Sequence, residues 1–346
     1  MSKKIKVLVV DDSPIMRKLI VDILKNDPEI EVVDTAKTGK EAIEKAKNLK
    51  PDVITLDIEM PEMDGITALR ILRKEVSQTK VIMFSSLTQE GAKATIECLT
   101  IGAYDFVPKP SSKSFWESVK KIEQDLIPKI KSIQPLKEFK PIYRPSYITP
   151  KIKKGIYKVC GIGVSTGGPQ TLLKIIPELP PTFPAPILIV QHMPPFFTTQ
   201  LADRLNSLSR LIVKEAEEGE IVKNGVVYIA PGDYHMEVKR ENALVRIKLH
   251  KGPPRNFCRP SVDELFESLA ENYNGNTLAL ILTGMGSDGK EGAKRIKENG
   301  GVVLAQDAES CVVFGMPRAV IEAGLADEVL DLSKIPERLK DLFGCN

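Results

Sequence analysis

The chain has 346 residues, 42% of them hydrophobic and 27% charged, a soluble globular composition with material for two buried cores. Lys and Arg total 49 against 46 Asp and Glu, a net charge of +3, so the balance gives no pull toward nucleic acid. The five cysteines are scattered without a C-x-x-C pair, which argues against a disulfide framework or a zinc motif and suits a reducing cytosol.

The first apolar run, Ile5 to Val10, is a buried-strand pattern. Lys6 interrupts it and Asp11-Asp12 end it, which is wrong for a signal peptide. No window is long and apolar enough to span a bilayer, so the expectation is a cytoplasmic protein without membrane insertion. Ser13 to Asn26 reads as a helix, with Ser13 as N-cap and Pro14 at the first helical position. Four further strand–helix alternations follow, through "IEVVDTA", "DVITLD", "KVIMFSS" and "AYDFVPK", closing on a helix from Ser114 to about Lys131. Such alternation predicts a doubly wound parallel sheet. From Ser132 to Gly155 the periodicity dissolves into a proline-rich basic stretch that reads as a linker. Strand–helix alternation resumes from Lys158, with an antiparallel hairpin expected around Glu241-Asn242 and a short closing helix at "IPERLKDLF". The chain shows neither a tandem repeat nor a helix-turn-helix pattern.

In open α/β sheets, ligand groups gather at the carboxyl ends of strands. Asp11 and Asp12 follow the first predicted strand, Asp57 the third, Ser85 the fourth and Lys109 the fifth. Crowded carboxylates with oxygen donors suit Mg²⁺, and a nearby lysine neutralises an anion. That set fits phosphoryl transfer onto Asp57. Residues 3 to about 125 resemble a response-regulator receiver domain, through "VVDDS", "LDIEMPEMDG", Ser85 after "VIMF", and "FVPKP" around Phe106 and Lys109. The resemblance implies phosphorylation of Asp57 by a histidine kinase. It implies Mg²⁺ held by Asp12, Asp57 and the Glu59 carbonyl with help from Asp11, and a switch through Ser85 and Phe106.

"GIGVSTGGPQ", Gly161 to Gln170, follows the first strand of the second half. It lacks the Gly-Lys-Ser/Thr of a phosphate-binding P-loop. As a dinucleotide fingerprint its third glycine comes one place late, and the next strand ends in Gln191-His192 instead of an acid. Gly163 to Gly167 does fit G-x-S-x-G, a strand-to-helix turn that lifts a serine hydroxyl above a sheet. On that reading Ser165 is the nucleophile, His192 at the next strand end is the base, and Asp288 in "LTGMGSDG" orients the base. The other histidines are His235, a second candidate base, and His250, which reads as a surface side chain. Asp288 also reads as a cap for the helix that follows it.

Residues 157 to about 343 resemble the catalytic domain of the chemotaxis protein-glutamate methylesterase family, through "GIGVSTGGP", "VQHMP", "APGDYHM", "CRPSVDELF" and "LTGMGSDG". The resemblance implies hydrolysis of glutamyl γ-methyl esters on methylated chemoreceptors, with deamidation of receptor glutamines. The Met285 amide and the serine loop would bind the oxyanion, with Thr166 in support. Arg259 is open to two readings, contact with a receptor helix or a surface ion pair. The expected fold is α/β with two doubly wound domains. A flavodoxin-like (βα)5 receiver spans 1–131 and a proline-rich linker 132–155. A Rossmann-like, mainly parallel-sheet catalytic domain with an antiparallel hairpin spans 156–346 and requires no cofactor. Phosphorylation is expected to move the receiver off the mouth of the Ser165 site. Two alternatives are a response regulator with a DNA- or protein-binding output, which lacks its recognition helix here, and a dinucleotide-dependent reductase, disfavoured by Gln191-His192.

Overall fold

The alternation of the first half becomes a five-stranded parallel sheet. The structure is a computed structural model, and it describes residues 4–110, 115–133 and 152–345. The chain divides into two compact units, residues 1–139 and 140–346. Most of the stretch read as a linker lies outside the described residues.

The first unit runs β1 (Ile5–Val10), α1 (Pro14–Lys25), β2 (Ile30–Ala36), α2 (Gly39–Leu49), β3 (Val53–Asp57), α3 (Gly65–Glu75), β4 (Lys80–Ser85), α4 (Gln89–Ile101), β5 (Asp105–Pro108) and α5 (Phe115–Lys131). Side-chain oxygens of Ser13, Thr38, Asp64 and Thr88 accept from backbone amides at the starts of α1 to α4 and fix where each helix begins. All strand pairs are parallel, in the order β2-β1-β3-β4-β5. Val7, Val9, Ile20, Leu24, Ile82, Phe84 and Leu126 pack in one core. Each such side chain contributes roughly 1.5–3 kcal/mol on burial. The strand order reverses between β1 and β3, which opens a crevice at their carboxyl ends.

The second unit runs β6 (Val159–Val164), α6 (Gly168–Ile175), β7 (Ile187–Gln191), α7 (Phe197–Leu208), β8 (Ile212–Glu215), β9 (Val226–Ile229), β10 (His235–Glu241) and β11 (Leu244–His250). It continues with α8 (Val262–Tyr273), β12 (Thr277–Ile281), α9 (Lys290–Glu298), β13 (Val302–Gln306), α10 (Met316–Glu322), β14 (Glu328–Leu330) and α11 (Ile335–Phe343). Seven parallel strands form the sheet β14-β13-β12-β6-β7-β9-β8. The expected hairpin is there: β10 and β11 pair antiparallel and turn through Asn242 at a φ of 56°. It forms a sheet of its own, and Met236, Val238 and Ile247 bury against Leu265, Phe266 and Leu269 of α8.

The glycines of β6 exist for packing. A β-carbon on Gly163 would lie 2.4 Å from Val262 Cγ1, and one on Gly161 would lie 2.6 Å from Leu269 Cδ1. Their absence lets α8 lie directly on the central strand. Gly167 has a φ of 77°, which turns the chain into α6.

Candidate functional site

Sheet register brings the loop serine and the next-strand histidine together. Val164 pairs with Gln191, and the His192 amide donates to the Val164 carbonyl at 3.2 Å. On the other flank Gly163 pairs with Ile281, and the Ser165 amide donates to the Thr283 carbonyl at 3.0 Å. Ser165 therefore leaves β6 between the ends of β7 and β12, where the strand order reverses. Gln191 Nε2 donates to the Ser165 carbonyl at 3.0 Å, and Thr283 Oγ1 donates to the Thr166 carbonyl at 2.9 Å. The serine loop is thus held by side chains from both neighbouring strand ends.

Asp288 is 1% exposed. Its Oδ2 accepts from His192 Nε2 at 2.8 Å and from the Val262 amide at 2.7 Å. Its Oδ1 accepts from Ser261 Oγ (2.8 Å), Asn256 Nδ2 (2.9 Å), and the Gly289 and Asp263 amides (3.1 and 3.2 Å). The helix it caps is α8, which precedes it, and not α9, which follows. One oxygen, Oδ2, serves both the helix and the histidine. Burial alone would raise the Asp288 pKa. The His192 hydrogen bond and charge, the Val262 amide and Asn256 outweigh it and hold the carboxyl well below the usual range. Burial would lower the His192 pKa, but Asp288, together with Cys258, holds it above its ordinary value. The imidazolium is therefore a stabilised species here.

With Nε2 committed to Asp288, the other nitrogen of His192, Nδ1, is hydrogen-bonded to Cys258 Sγ at 3.6 Å. Ser165 Oγ makes no hydrogen bond among the described residues, so the structure joins His192 to Asp288 but not Ser165 to His192. The Thr166 and Met285 amides donate to no protein group among the described residues, and Met285 is 37% exposed. The loop carrying Met285 is pinned at Gly284, whose amide donates to Val313 and whose carbonyl accepts from Gly315 and Met316.

The remaining candidates lie elsewhere. His235 is buried in the hairpin, donates from Nε2 to the Pro253 carbonyl at 3.1 Å, and packs on His250. Arg259 is an ion-pair residue: it bonds Asp233 through Nε at 3.0 Å and the Gly252 carbonyl at 2.8 Å. Asn256, Ser261 and Cys258 were not singled out from sequence. Ser261 followed by Asp263 and Glu264 carries a helix-start signal that would have located α8.

In the first unit, oxygens of Asp11, Asp12 and Asp57 lie within 4.8 Å of one another. Lys109 Nζ donates to Asp57 Oδ2 at 2.6 Å and stands 3.9 Å from Asp11 Oδ2. Burial and the Asp57 charge push Asp11 up to about 6 despite Lys109. Burial raises Asp57 as well, over the opposing effect of Lys109. Asp11 Oδ2 is buried without a hydrogen-bond partner. A free buried oxygen among carboxylates that resist ionisation fits a divalent cation, which would satisfy the first and relieve the second. The Glu59 amide caps Asp57 Oδ1 at 3.4 Å. Ser85 Oγ donates to the Gly91 carbonyl at 2.9 Å, and the Lys109 amide donates to the Ser85 carbonyl at 2.6 Å. Phe106 is buried with Lys129 Nζ 5.2 Å from its ring centre.

An acidic strand-end crevice on one parallel sheet, and a serine, histidine and aspartate at strand ends of a second, form the layout of a response regulator with an enzymatic output. The response regulator receiver domain family matches residues 7–119, and the CheB methylesterase family matches residues 160–339. A protein-glutamate methylesterase/protein-glutamine glutaminase of Thermotoga maritima is 51% identical over 340 residues, 98% of each chain. One of Archaeoglobus fulgidus is 50% identical over 347 residues, covering 96% of this chain and 97% of its own. The crystal structure of the Thermotoga maritima CheB methylesterase catalytic domain matches at a TM-score of 0.52 and 57% identity, over 53% of this chain and 97% of that one. The chain belongs to the protein-glutamate methylesterase/protein-glutamine glutaminase family.

Proposed function

We propose that this protein is a phosphorylation-regulated serine hydrolase that removes γ-methyl esters from glutamates of methylated chemoreceptors and deamidates receptor glutamines, in chemotactic adaptation. The observation that carries the reading is the 2.8 Å His192–Asp288 hydrogen bond beside the strand end that carries Ser165.

In this mechanism the His192 ring leaves Cys258 and takes the Ser165 proton on Nδ1 as Oγ attacks the ester carbonyl carbon. Contacts of this kind are often long before substrate binds. The imidazolium that forms is favoured by Asp288, whose Nε2 contact also fixes the tautomer. The carbonyl oxygen becomes an oxyanion, held by the unused Thr166 and Met285 amides. Loss of one such donor costs about 10²–10³ in rate. His192 then returns the proton to the methoxy oxygen, methanol leaves, and an acyl-serine remains. Water, deprotonated by the same nitrogen, releases the glutamate carboxylate and restores Ser165. A glutamine substrate follows the same path and releases ammonia.

Asp57 is the proposed phosphoacceptor, served by a histidine kinase, with Mg²⁺ held by Asp12, Asp57 and the Glu59 carbonyl beside Asp11. Mg²⁺ would neutralise the incoming phosphoryl oxygens, and Lys109, which donates to Asp57 Oδ2, would do the same. Ser85 and Phe106 are the proposed switch residues, released from the Gly91 carbonyl and the Lys129 contact respectively. The proposed domain limits are 1–131 and 156–346, joined by 132–155, in a cytoplasmic protein. Among the described residues no helix is long and apolar enough to cross a membrane.

The test is methanol release from membranes carrying methylated chemoreceptors, with Mg²⁺ and a small phosphodonor. Release is expected to rise with the donor in the full chain, to lose that rise in Asp57→Asn, and to vanish in Ser165→Ala. Full activity in Ser165→Ala would overturn the mechanism. An unchanged rate with Asp57 demonstrably phosphorylated would overturn the regulation.

A further inference from the structure

His192 Nδ1 and Cys258 Sγ lie 3.6 Å apart, though 66 positions separate them in the chain. A tetrahedral Zn²⁺ with bonds of about 2.3 Å to sulfur and 2.0–2.1 Å to nitrogen holds those two donors about 3.5–3.6 Å apart. The spacing of this hydrogen-bonded pair matches that of a zinc-bound pair. The other imidazole nitrogen donates to Asp288, the arrangement that orients a histidine ligand and makes it more basic. One donor atom each of His192, Cys258 and Asp288 lies within 4.8 Å of the others. Asp288 acts through the histidine, because both of its oxygens already accept several hydrogen bonds. No Cys or His spacing along the sequence marks this site; the fold creates it.

We propose that His192 Nδ1 and Cys258 Sγ form a capture site for a thiophilic divalent cation, Zn²⁺, which blocks the hydrolase by occupying the nitrogen that must take the Ser165 proton. The site is built from the three side chains together. Cys258 is only half-buried, and its chain neighbour Phe257 is fully exposed. Burial pushes the thiols of Cys98, Cys160, Cys311 and Cys345 up, away from thiolate formation. Binding replaces the thiol proton and, where His192 is an imidazolium, its Nδ1 proton by the metal, and the protons pass to solvent; nothing is oxidised. Water fills the remaining positions of the tetrahedron. Zinc would then act as a reversible brake on demethylation, independent of Asp57. A second grouping, Glu237, His250 and Glu264, is less suited, because Lys248 and Arg255 already pair with its carboxylates.

The blocking half of the proposal rests on the hydrolase reading; the binding half does not. The test titrates Zn²⁺ into the full chain in excess Mg²⁺, which fills the receiver crevice, against a chromophoric chelator. Co²⁺ serves as a spectroscopic probe. One Zn²⁺ per chain, proton release, and a thiolate-to-cobalt charge-transfer band are expected. Cys258→Ala and the size-conserving Cys258→Ser lose the band and weaken Zn²⁺ by at least about 10–100-fold, the scale of losing even a ligand's supporting partner. His250→Ala keeps both. One equivalent of Zn²⁺ suppresses methanol release, and a chelator restores it. Equal affinity in both Cys258 variants, or loss in His250→Ala instead, would overturn the site. Tight binding at Cys258 with undiminished turnover would overturn the block. A metal-free enzyme with no turnover counts against the hydrolase reading alone.

Discussion

Gly284→Ala reaches the proposed nucleophile, Ser165, without replacing any residue of the proposed mechanism. Gly284 is buried in the loop after β12, with a φ outside the left-handed region that favours glycine. A β-carbon there would lie 2.8 Å from Ser165 Cβ, 3.2 Å from the Ser165 amide nitrogen and 2.4 Å from Met316 Sδ. Ordinary contact begins near 3.4 Å, so Ser165 must give way by about 0.6 Å unless Gly284 moves instead. Gly284 is fixed by three backbone hydrogen bonds, to Val313, Gly315 and Met316, and Ser165 by three of its own, to Thr283, Gly168 and Gln191, so the overlap is shared and the serine cannot stay where it is. The Met316 contact adds overpacking worth about 1–3 kcal/mol of stability, since that side chain is fully buried. A misplacement of 1 Å at a reacting centre can cost about 10²-fold, so kcat should fall roughly 10–100-fold with little change in KM. The assay is steady-state methanol release, run beside a thermal melt that establishes folding at the assay temperature. A folded variant with kcat within about twofold of the parent would refute the claim that Gly284 positions Ser165.

Replacing Asp288 by Asn should lower kcat by about 10⁴, as loss of the tautomer-fixing acid does in a related constellation. Because Asp288 raises the His192 pKa, the variant's residual activity should switch on at lower pH than the parent's, read from the acid limb of the rate profile. In the receiver, burial and the Asp57 charge push Asp11 up to about 6, so a cation held there must displace its proton below that pH. Mg²⁺ affinity should be flat above about pH 7 and fall as pH drops through 6, by calorimetry; an affinity independent of pH would contradict the assignment. The same carboxyl has a raised folded pKa, so ionising it opposes folding: without Mg²⁺ the receiver should lose stability as pH rises through 6, and Mg²⁺ should restore it.

The β–α order of both units was legible because buried parallel strands write themselves as short β-branched runs, and because Ser13 with Pro14 marks a helix start plainly. The acidic crevice was legible for the same reason: its carboxylates stand directly after those runs. Elements at the margins were not. Ile212–Glu215 and Glu328–Leu330 are edge strands of four and three residues, too short to carry a period. Missing α8 mattered more, since its first turn supplies two of the amides that hold Asp288. The sequence names Asp288 as the orienting acid, and the helix it offers for the other role of Asp288 is the one that follows; the structure has it accept from the first turn of α8 instead, because capping across 26 residues leaves no local signal. The pairing of His192 with Cys258 was invisible for a like reason: only the fold brings them together.

The central claim is that Ser165 and His192 act as one unit through Nδ1. The most direct measurement is kcat/KM for methanol release by Ser165→Ala, His192→Ala and the double variant, all in the full chain. Residues acting as a unit are grossly non-additive. The account predicts losses of at least about 10³-fold for each single variant and no further loss in the double. Losses that multiply in the double variant, or a Ser165→Ala enzyme that keeps its rate, would contradict it.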